Sequence, residues 1–263
     1  MSLFIRQNRT VIKFSGKDTK KLLNSCLSIN FEENDTPKFW ALLSPQGKII
    51  AEGLGIFSNN AFWLETHKDI AENFIKRMTL YRLRDDVKIE NLQKTHKIAY
   101  SKTISNINIS FKDPRSENLG FQTISPIKET KNWQTNNDFS ILRINNAIAE
   151  LGEDYESEKY SPHDVGLDLL GGIDFSKGCY IGQEVVSRMQ HKAKIKRRPF
   201  IISNIKANNF APIFSNDKKI GYIGKVTNKK AIAFIRLDKM DKQNIITINE
   251  LPIKITLPNW ANY

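Results

Sequence analysis

The sequence predicts a mixed α and β protein that ends in a small, strand-rich domain. Three observations support this class. Apolar residues recur at helical spacing in two N-terminal stretches, and they alternate with polar residues in several short runs around them. Beyond Arg198, short strands are separated by polar turns with almost no helical pattern, which predicts a small barrel or sandwich. The 263 residues, 40% hydrophobic and 26% charged, have the composition of a folded protein.

The N-terminal part begins with a strand followed by a helix. Residues 10–14 alternate like a short strand. A helix follows, with its apolar face formed by Leu22, Leu23, Cys26 and Leu27. Cys26 is therefore expected to be a small core residue rather than a reactive thiol.

A hairpin comes next, in residues 39–57. Its turn, Ser44-Pro45-Gln46-Gly47, has proline at the second position and glycine at the fourth, as a type I turn favours. The later pattern predicts, in order, a strand at 61–66, an amphipathic helix at 68–81, a strand at 86–91, further strands within 94–127 and a loop at 150–164.

The chain carries a net charge of +12, from 40 basic and 28 acidic residues. Such a balance favours anionic partners such as a nucleic acid, a membrane surface or a polyanionic small molecule. The densest basic stretch, residues 191–198, is more typical of a solvated or phosphate-facing connector, because no zinc-finger spacing, RNA-binding aromatic strand or helix-turn-helix pattern accompanies it. Direct binding to nucleic acid is therefore not expected.

Nothing in the sequence indicates export or membrane insertion. No apolar run approaches the roughly 18–20 residues that cross a bilayer. The N-terminal segment has neither the apolar core of a signal peptide nor the Arg- and Ser-rich pattern of a transit peptide. Two cysteines, far apart in sequence, make no disulfide framework. These features predict a cytoplasmic protein.

The sequence lacks the common cofactor signatures. Its 4 histidines and 2 cysteines show no paired spacing typical of metal ligands, so no metal site is expected. Two thiols cannot hold an iron–sulfur cluster in the conventional way. The sequence also has no phosphate-binding loop and no dinucleotide fingerprint. His163 could serve as a base, but a single loop histidine is more often a surface or packing residue.

The octapeptide KGCYIGQE, residues 177–184, places Cys179 in a loop that leads into a helix. Glycines on both sides give the backbone freedom. The helix N-terminus and Lys177 both favour the thiolate, which is typical of a reactive cysteine. The residues alone leave a reactive and a structural role for Cys179 equally open.

KGCYIGQE resembles the signature of the YgfZ proteins, a folate-binding branch of the glycine-cleavage T-protein (aminomethyltransferase) superfamily. The resemblance extends over LDLLGGIDFSKGCYIGQEVVSRMQH, residues 167–191, and over segments in the expected order at residues 42–49, 78–89 and 113–115. It therefore covers most of the chain. The mitochondrial members of this branch are known as iron–sulfur assembly factors.

The resemblance implies an α+β fold of the T-protein type. Two interleaved α+β lobes would surround a central channel within residues 1–195, and a small C-terminal β-barrel would follow in residues 196–263. Folate lies in the channel of such proteins. The net positive charge suits a polyglutamylated folate, whose tail is a row of carboxylates.

The chain departs from the catalytic T-proteins at two places. Those enzymes carry an acidic pair after the hairpin turn, where this chain has Ala51-Glu52. They also have a glutamate that meets the folate pterin, in a segment resembling LRINNAI, residues 142–148, where Asn145 takes its place. Aminomethyl transfer needs a carboxylate to manage a proton, and an amide cannot do so. Whether the chain is an enzyme therefore stays open.

We interpret the chain as a folate-dependent accessory factor in the assembly or repair of iron–sulfur proteins. The expected ligand is tetrahydrofolate, and the expected partners are iron–sulfur client or assembly proteins. Cys179 would be the redox-active or transfer-competent thiol, with Lys177 favouring its thiolate form. The cofactor-binding side chains implied by the resemblance are those of Asn145, Arg143, Tyr180, Gln183, Glu184 and Asp168.

Two alternatives stay open at this level. A folate-dependent aminomethyl- or methyltransferase of the T-protein type would be active with a carrier-bound aminomethyl donor. A basic RNA-associated protein on the same scaffold would bind RNA with a steep salt dependence and would give Cys179 no role.

Overall fold

In this computed structural model, residues 2–106, 108–135, 139–192, 194–240 and 245–263 are described. Within these ranges the strands form three sheets of five, four and seven strands, all with antiparallel ladders. The predicted α+β class is confirmed. No helix within these ranges is both long and apolar enough to cross a membrane.

The first lobe is the five-stranded sheet, in the order β3-β4-β5-β2-β6, with two helices on one face. Leu22, Leu23 and Cys26 of the first helix meet Phe74 and Met78 of the second in one buried core. The elements are β2 (Arg9–Ser15), α1 (Thr19–Cys26), β3 (Lys38–Leu43), β4 (Ile49–Ser58), β5 (Ala61–His67), α2 (Lys68–Arg82) and β6 (Lys88–Asn91).

The second lobe is the four-stranded sheet, in the order β1-β7-β9-β8. Its edge strand β1 (Phe4–Ile5) comes from the N-terminus, before the first lobe begins, so the two lobes are interleaved as expected. The other elements are β7 (His96–Ser101), β8 (Ile109–Lys112), β9 (Phe121–Pro126) and α3 (Phe139–Asn145). A core of residues from both lobes, including Val11, Leu54, Ile98 and Ile124, joins the two sheets.

The third part begins after α4 (Gln183–Lys192) and encloses its own apolar core. Its sheet has the order β15-β14-β11-β12-β13-β10-β16. The strands are β10 (Arg197–Ser203), β11 (Pro212–Ser215), β12 (Lys218–Ile223), β13 (Lys230–Arg236), β14 (Ile246–Ile248), β15 (Leu251–Pro252) and β16 (Ile255–Thr256). We call this part the barrel.

Candidate functional site

Cys179 lies in the loop that precedes α4, and its side chain is exposed. Cys26, the last residue of α1, is buried, and this burial raises the pKa of its thiol. The prediction that Cys26 is a core residue is confirmed. Cys179 is therefore the thiol that a reagent or another protein can reach.

Lys177 is buried, although Cys179 two residues later is exposed. Its Nζ donates hydrogen bonds to the carbonyl oxygens of Asn24 (2.8 Å), Leu27 (2.7 Å) and Ile29 (2.9 Å). An ammonium has three N–H donors, so these bonds use all of them. Burial lowers the pKa of Lys177 to about 8. The Lys177 ammonium therefore bonds to the first lobe through all three of its N–H groups, and the expected influence of its charge on Cys179 stays a prediction.

Three further side chains of the octapeptide also build the loop. The Tyr180 ring is buried with its centre 5.1 Å from the Lys177 Nζ, and burial raises the pKa of its hydroxyl to about 12. The Gln183 amide donates to the Lys177 carbonyl oxygen at 3.1 Å. Ile181 packs against the core of the first lobe. Tyr180 and Gln183 therefore stabilise the loop, and their expected role in cofactor binding stays a prediction.

Two glycines bring the octapeptide against the hairpin turn of the first lobe. Gly182 has a φ of +79°, and a Cβ there would lie 2.5 Å from the Ser44 carbonyl oxygen. Gly47 has a φ of +70°, and a Cβ there would lie 3.0 Å from the Val185 side chain. Both positions therefore require glycine. Two segments that carry the family resemblance, far apart in sequence, meet at this contact.

An open groove of about 460 Å³ runs along the exposed face of α4. The groove is lined by Gln183, Glu184, Ser187, Arg188 and His191. Glu184, expected to bind a cofactor, is exposed here. In the described ranges no three His, Cys, Asp or Glu side chains are grouped so that they could hold a metal ion. The helix that follows Cys179 therefore presents an open polar surface rather than an enclosed pocket.

A network of buried charges joins the two lobes, and we call it the central ion network. The Glu150 carboxylate accepts hydrogen bonds from Arg6 at 2.5 and 2.7 Å and from Arg115 at 2.8 Å. Burial alone would raise the pKa of Glu150, but the surrounding arginine charges hold it well below its usual range. The members are Arg6, Arg9, Glu52, Glu65, Asp113, Arg115, Arg143, Glu150 and Asp154, all buried.

Arg143 and Glu52 belong to this network. The Arg143 guanidinium pairs with the Asp154 carboxylate and donates to the Ile148 carbonyl oxygen at 3.2 Å. Arg143 is thus buried in an ion pair of the protein, and its expected role in cofactor binding stays a prediction. The Glu52 Oε1 accepts from the Leu151 N–H at 3.1 Å, while in the described part of the chain its buried Oε2 has no hydrogen-bond partner. Burial raises the pKa of the Glu52 carboxyl.

Asp168 and Asn145 both contact the barrel. The two carboxylate oxygens of Asp168 accept from Arg198 at 2.7 and 2.8 Å, in a buried bidentate pair. The Asn145 Oδ1 accepts from the Lys230 Nζ at 2.7 Å at the surface. Asp168 thus holds its loop to Arg198 of the barrel, and its expected role in cofactor binding stays a prediction. Asn145 lies apart from the octapeptide's contacts.

A cleft of about 380 Å³ lies between residues 154–160 and the barrel, and we call it the barrel cleft. The Arg197 guanidinium lies 4.9 Å from the centre of the Tyr160 ring. Tyr155 is among the lining residues, and its hydroxyl is buried and has no hydrogen-bond partner among the described residues. The lining residues are Asp154, Tyr155, Glu156, Lys159, Tyr160, Arg197, Phe210, Tyr222 and Ile223.

The barrel cleft brings the Tyr160 ring and the cationic side chains of Arg197 and Lys159 together with the carboxylates of Asp154 and Glu156. Arg197 also pairs with the Asp164 carboxylate at 3.6 Å. Neither Asn145 nor the octapeptide is among the residues that line it. The sequence offers one signal for this site, which is the pair of tyrosines, Tyr155 and Tyr160, in the acidic loop at 150–164.

Residues 198–263 match the family model described as the CAF17 C-terminal beta-barrel domain. The chain is also similar to proteins named iron-sulfur cluster assembly factor IBA57 homolog, mitochondrial. The one from Pyricularia oryzae is 25% identical over an alignment 214 residues long, which covers 73% of this chain and 54% of the relative. The one from Mycosarcoma maydis is 24% identical over 221 residues, with the same two shares of 73% and 54%. The chain thus spans about half the length of these relatives.

The fold is similar to that of glycine cleavage system aminomethyltransferase T from Bartonella henselae. The TM-score is 0.75, over 97% of this chain and 84% of that chain, at 12% sequence identity. The predicted T-protein-type fold with a C-terminal barrel is confirmed.

The prediction of a cytoplasmic protein is wrong. It depended on the absence of recognisable targeting patterns in the sequence. The relatives from Pyricularia oryzae, Mycosarcoma maydis and Coccidioides immitis are all named as mitochondrial proteins, which contradicts it.

Proposed function

We propose that this protein is an accessory factor of the YgfZ branch for the assembly or repair of iron–sulfur proteins, with Cys179 as its working thiol. The observation that carries the proposal is an exposed thiol on a loop whose neighbouring side chains, Lys177 and Tyr180, are buried to hold it. The likeness to proteins named as iron–sulfur cluster assembly factors supports this reading.

An exposed thiolate can ligate iron, or it can attack a disulfide of another protein, forming a mixed disulfide and releasing the second sulfur as a thiolate. The described residues offer no group of further ligands that could complete a metal site, so a cluster at Cys179 needs ligands from another chain. The proposed task is therefore to act on a cluster, or on a cysteine ligand, in contact with an iron–sulfur client or assembly protein. The open polar face of α4 leaves room for such a contact.

Complementation tests this proposal. In cells that lack their own copy of the protein, the wild-type chain and Cys26→Ala should restore the activity of iron–sulfur enzymes, whereas Cys179→Ser should not. The melting temperature of Cys179→Ser should stay close to the wild-type value, because its side chain is exposed. If Cys179→Ser fully restores the activity of these enzymes, the thiol is not needed and the proposed role of Cys179 is wrong.

We also propose that tetrahydrofolate is the ligand of the barrel cleft. The bound form could also be polyglutamylated. When bound, it would supply a carrier of one-carbon groups. Tyr160 and Phe210 would contact its rings, and Arg197 and Lys159 would bind its carboxylates. The aromatic lining and the two cationic side chains support this proposal. In it, the ligand would lie away from Asn145, the residue that the sequence suggested.

Calorimetry with tetrahydrofolate tests this second proposal. Tyr160→Ala and Arg197→Met should each weaken binding by about tenfold, as expected for losing one ring contact or one charge-assisted bond. Lys218→Met, an exposed change on the barrel, is the matched control and should leave binding unchanged. If the wild-type protein binds no tetrahydrofolate at millimolar concentration, the folate proposal fails.

A further inference from the structure

The loop that carries Cys179 is docked on the segment that follows α1. The Ser28 hydroxyl donates to the Gly172 carbonyl oxygen at 2.6 Å, and the Asp174 N–H donates to the Ser28 carbonyl oxygen at 2.9 Å. The Asn30 amide donates to the Asp174 carboxylate at 3.1 Å. These bonds hold the beginning of the loop to the first lobe.

Lys177 makes the next attachment, and it does so at the end of a helix. The α1 helix ends at Cys26, and carbonyl oxygens at a helix C-terminus lack partners within the helix. The Lys177 ammonium bonds one of them, at Asn24, together with the two carbonyl oxygens of Leu27 and Ile29 just beyond the end. Positive charge is favoured at this end of a helix. Lys177 thus caps α1 from a distant part of the chain.

On the other side of Cys179 the chain is also held. Tyr180 is buried, and Gly182 lies tightly against Ser44. Gly178 and Cys179 therefore form a two-residue exposed arch between two buried ends. With so short an arch, the position of the thiol is determined by the residues at its ends.

We propose that Lys177 is a positioning residue for Cys179, which holds the exposed arch in place through its three hydrogen bonds at the end of α1. Those bonds do not involve the thiol. The charged and titratable groups that face the ammonium are Asp174 from its own loop and the buried Cys26 thiol from α1. The importance of this positioning rests on the proposed function of Cys179. Whether Lys177 restrains the arch can be tested in the purified protein, independently of that function.

A nitroxide spin label on Cys179 tests this proposal. Because Cys26 is buried, a thiol-specific nitroxide applied under native conditions reports on Cys179. The wild-type spectrum should show a restricted label. Lys177→Met, which removes all three donors, should shorten its rotational correlation time at least threefold, and Lys177→Arg, which keeps donors and charge, should restore part of the restriction. Lys218→Met is the control and should leave the spectrum unchanged.

An unchanged spectrum in Lys177→Met would overturn the proposal. If that variant does not fold, the test uses the wild-type protein. Nuclear magnetic resonance then measures how fast the ¹⁵N-labelled Lys177 ammonium exchanges its protons near pH 6. A buried ammonium with three acceptors should exchange its protons slowly, and exchange as fast as at surface lysines would refute the arrangement. The two proposals are separable. A Cys179→Ser chain that still supports iron–sulfur enzymes would end the proposed function, and a label indifferent to Lys177 would end the positioning role.

Discussion

Replacing Gly182 with alanine should destabilise the protein by about 2–5 kcal/mol. The left-handed backbone at Gly182, φ +79°, costs an alanine about 1–2 kcal/mol. The added Cβ would also lie 2.5 Å from the Ser44 carbonyl oxygen, and relieving this overlap should cost about 1–3 kcal/mol more. Urea unfolding followed by circular dichroism measures the change in the free energy of unfolding.

Two nearby glycines separate the two causes. A Cβ at Gly171 meets nothing within 4 Å, but its φ is +73°, so Gly171→Ala should lose only the backbone part, about 1–2 kcal/mol. Gly178 has open space and no left-handed φ, so Gly178→Ala should change stability by less than about 0.5 kcal/mol. If Gly182→Ala is no worse than Gly178→Ala, the contact between the octapeptide and the hairpin turn is refuted.

Three further outcomes are expected. Alkylation of the native protein near neutral pH, followed by mass spectrometry, should label Cys179 well before Cys26, because Cys26 is buried and its pKa is raised. Faster labelling of Cys26 would contradict the packing of α1. Burial disfavours the charged form of Glu153, but hydrogen bonds from its neighbours lower its pKa to about 2, so the stabilisation it gives at neutral pH should be lost as the pH falls from about 4.5 to 2. Glu153→Gln should reduce this loss of stability in acid and cost, after allowance for solvent screening, about 1–2 kcal/mol at pH 7. An unchanged pH dependence would argue against the ion pair between Glu153 and Lys225. Arg143→Met leaves the buried Asp154 carboxylate without its partner and should lower the free energy of unfolding in urea by about 3–5 kcal/mol. Lys88→Met removes only an exposed pair with Glu90 and should lower it by less than about 0.5 kcal/mol. Equal losses would be inconsistent with the central ion network.

Local pattern predicts most of the first lobe. The expected helix at 68–81 is α2, Lys68–Arg82, and the expected strand at 61–66 is β5, Ala61–His67. The helix has regular apolar spacing and the strand has a short apolar run, and sequence alone can show both. β11 and α3 are not predicted in this way. β11 has only 4 residues and buries a serine, so it shows no apolar pattern, and α3 has only 7 residues, too few to establish a helical period.

The site is less predictable, because its contacts are tertiary. Lys177 stands two residues from Cys179 in sequence, which suggests that its charge acts on that thiol. Its acceptors are backbone carbonyl oxygens around residue 27, and every residue type has such an acceptor, so the sequence cannot indicate them. The central ion network can be partly predicted from the sequence. Glu52 and Glu65 interrupt otherwise apolar strands, and a carboxylate in such a place needs a buried cation.

The attachment of Lys177 also fixes when the thiol can come into position during synthesis. Its acceptor at Leu27 precedes it by 150 residues. At roughly 5–20 residues per second, a ribosome makes α1 about 8–30 s before the lysine that caps it. Until then, the carbonyl oxygens at the end of α1 lack this cap. The first lobe, which ends at Asn91, is therefore complete before Cys179 is made, and the thiol emerges beside a surface that can hold its loop while the barrel is still to be synthesised.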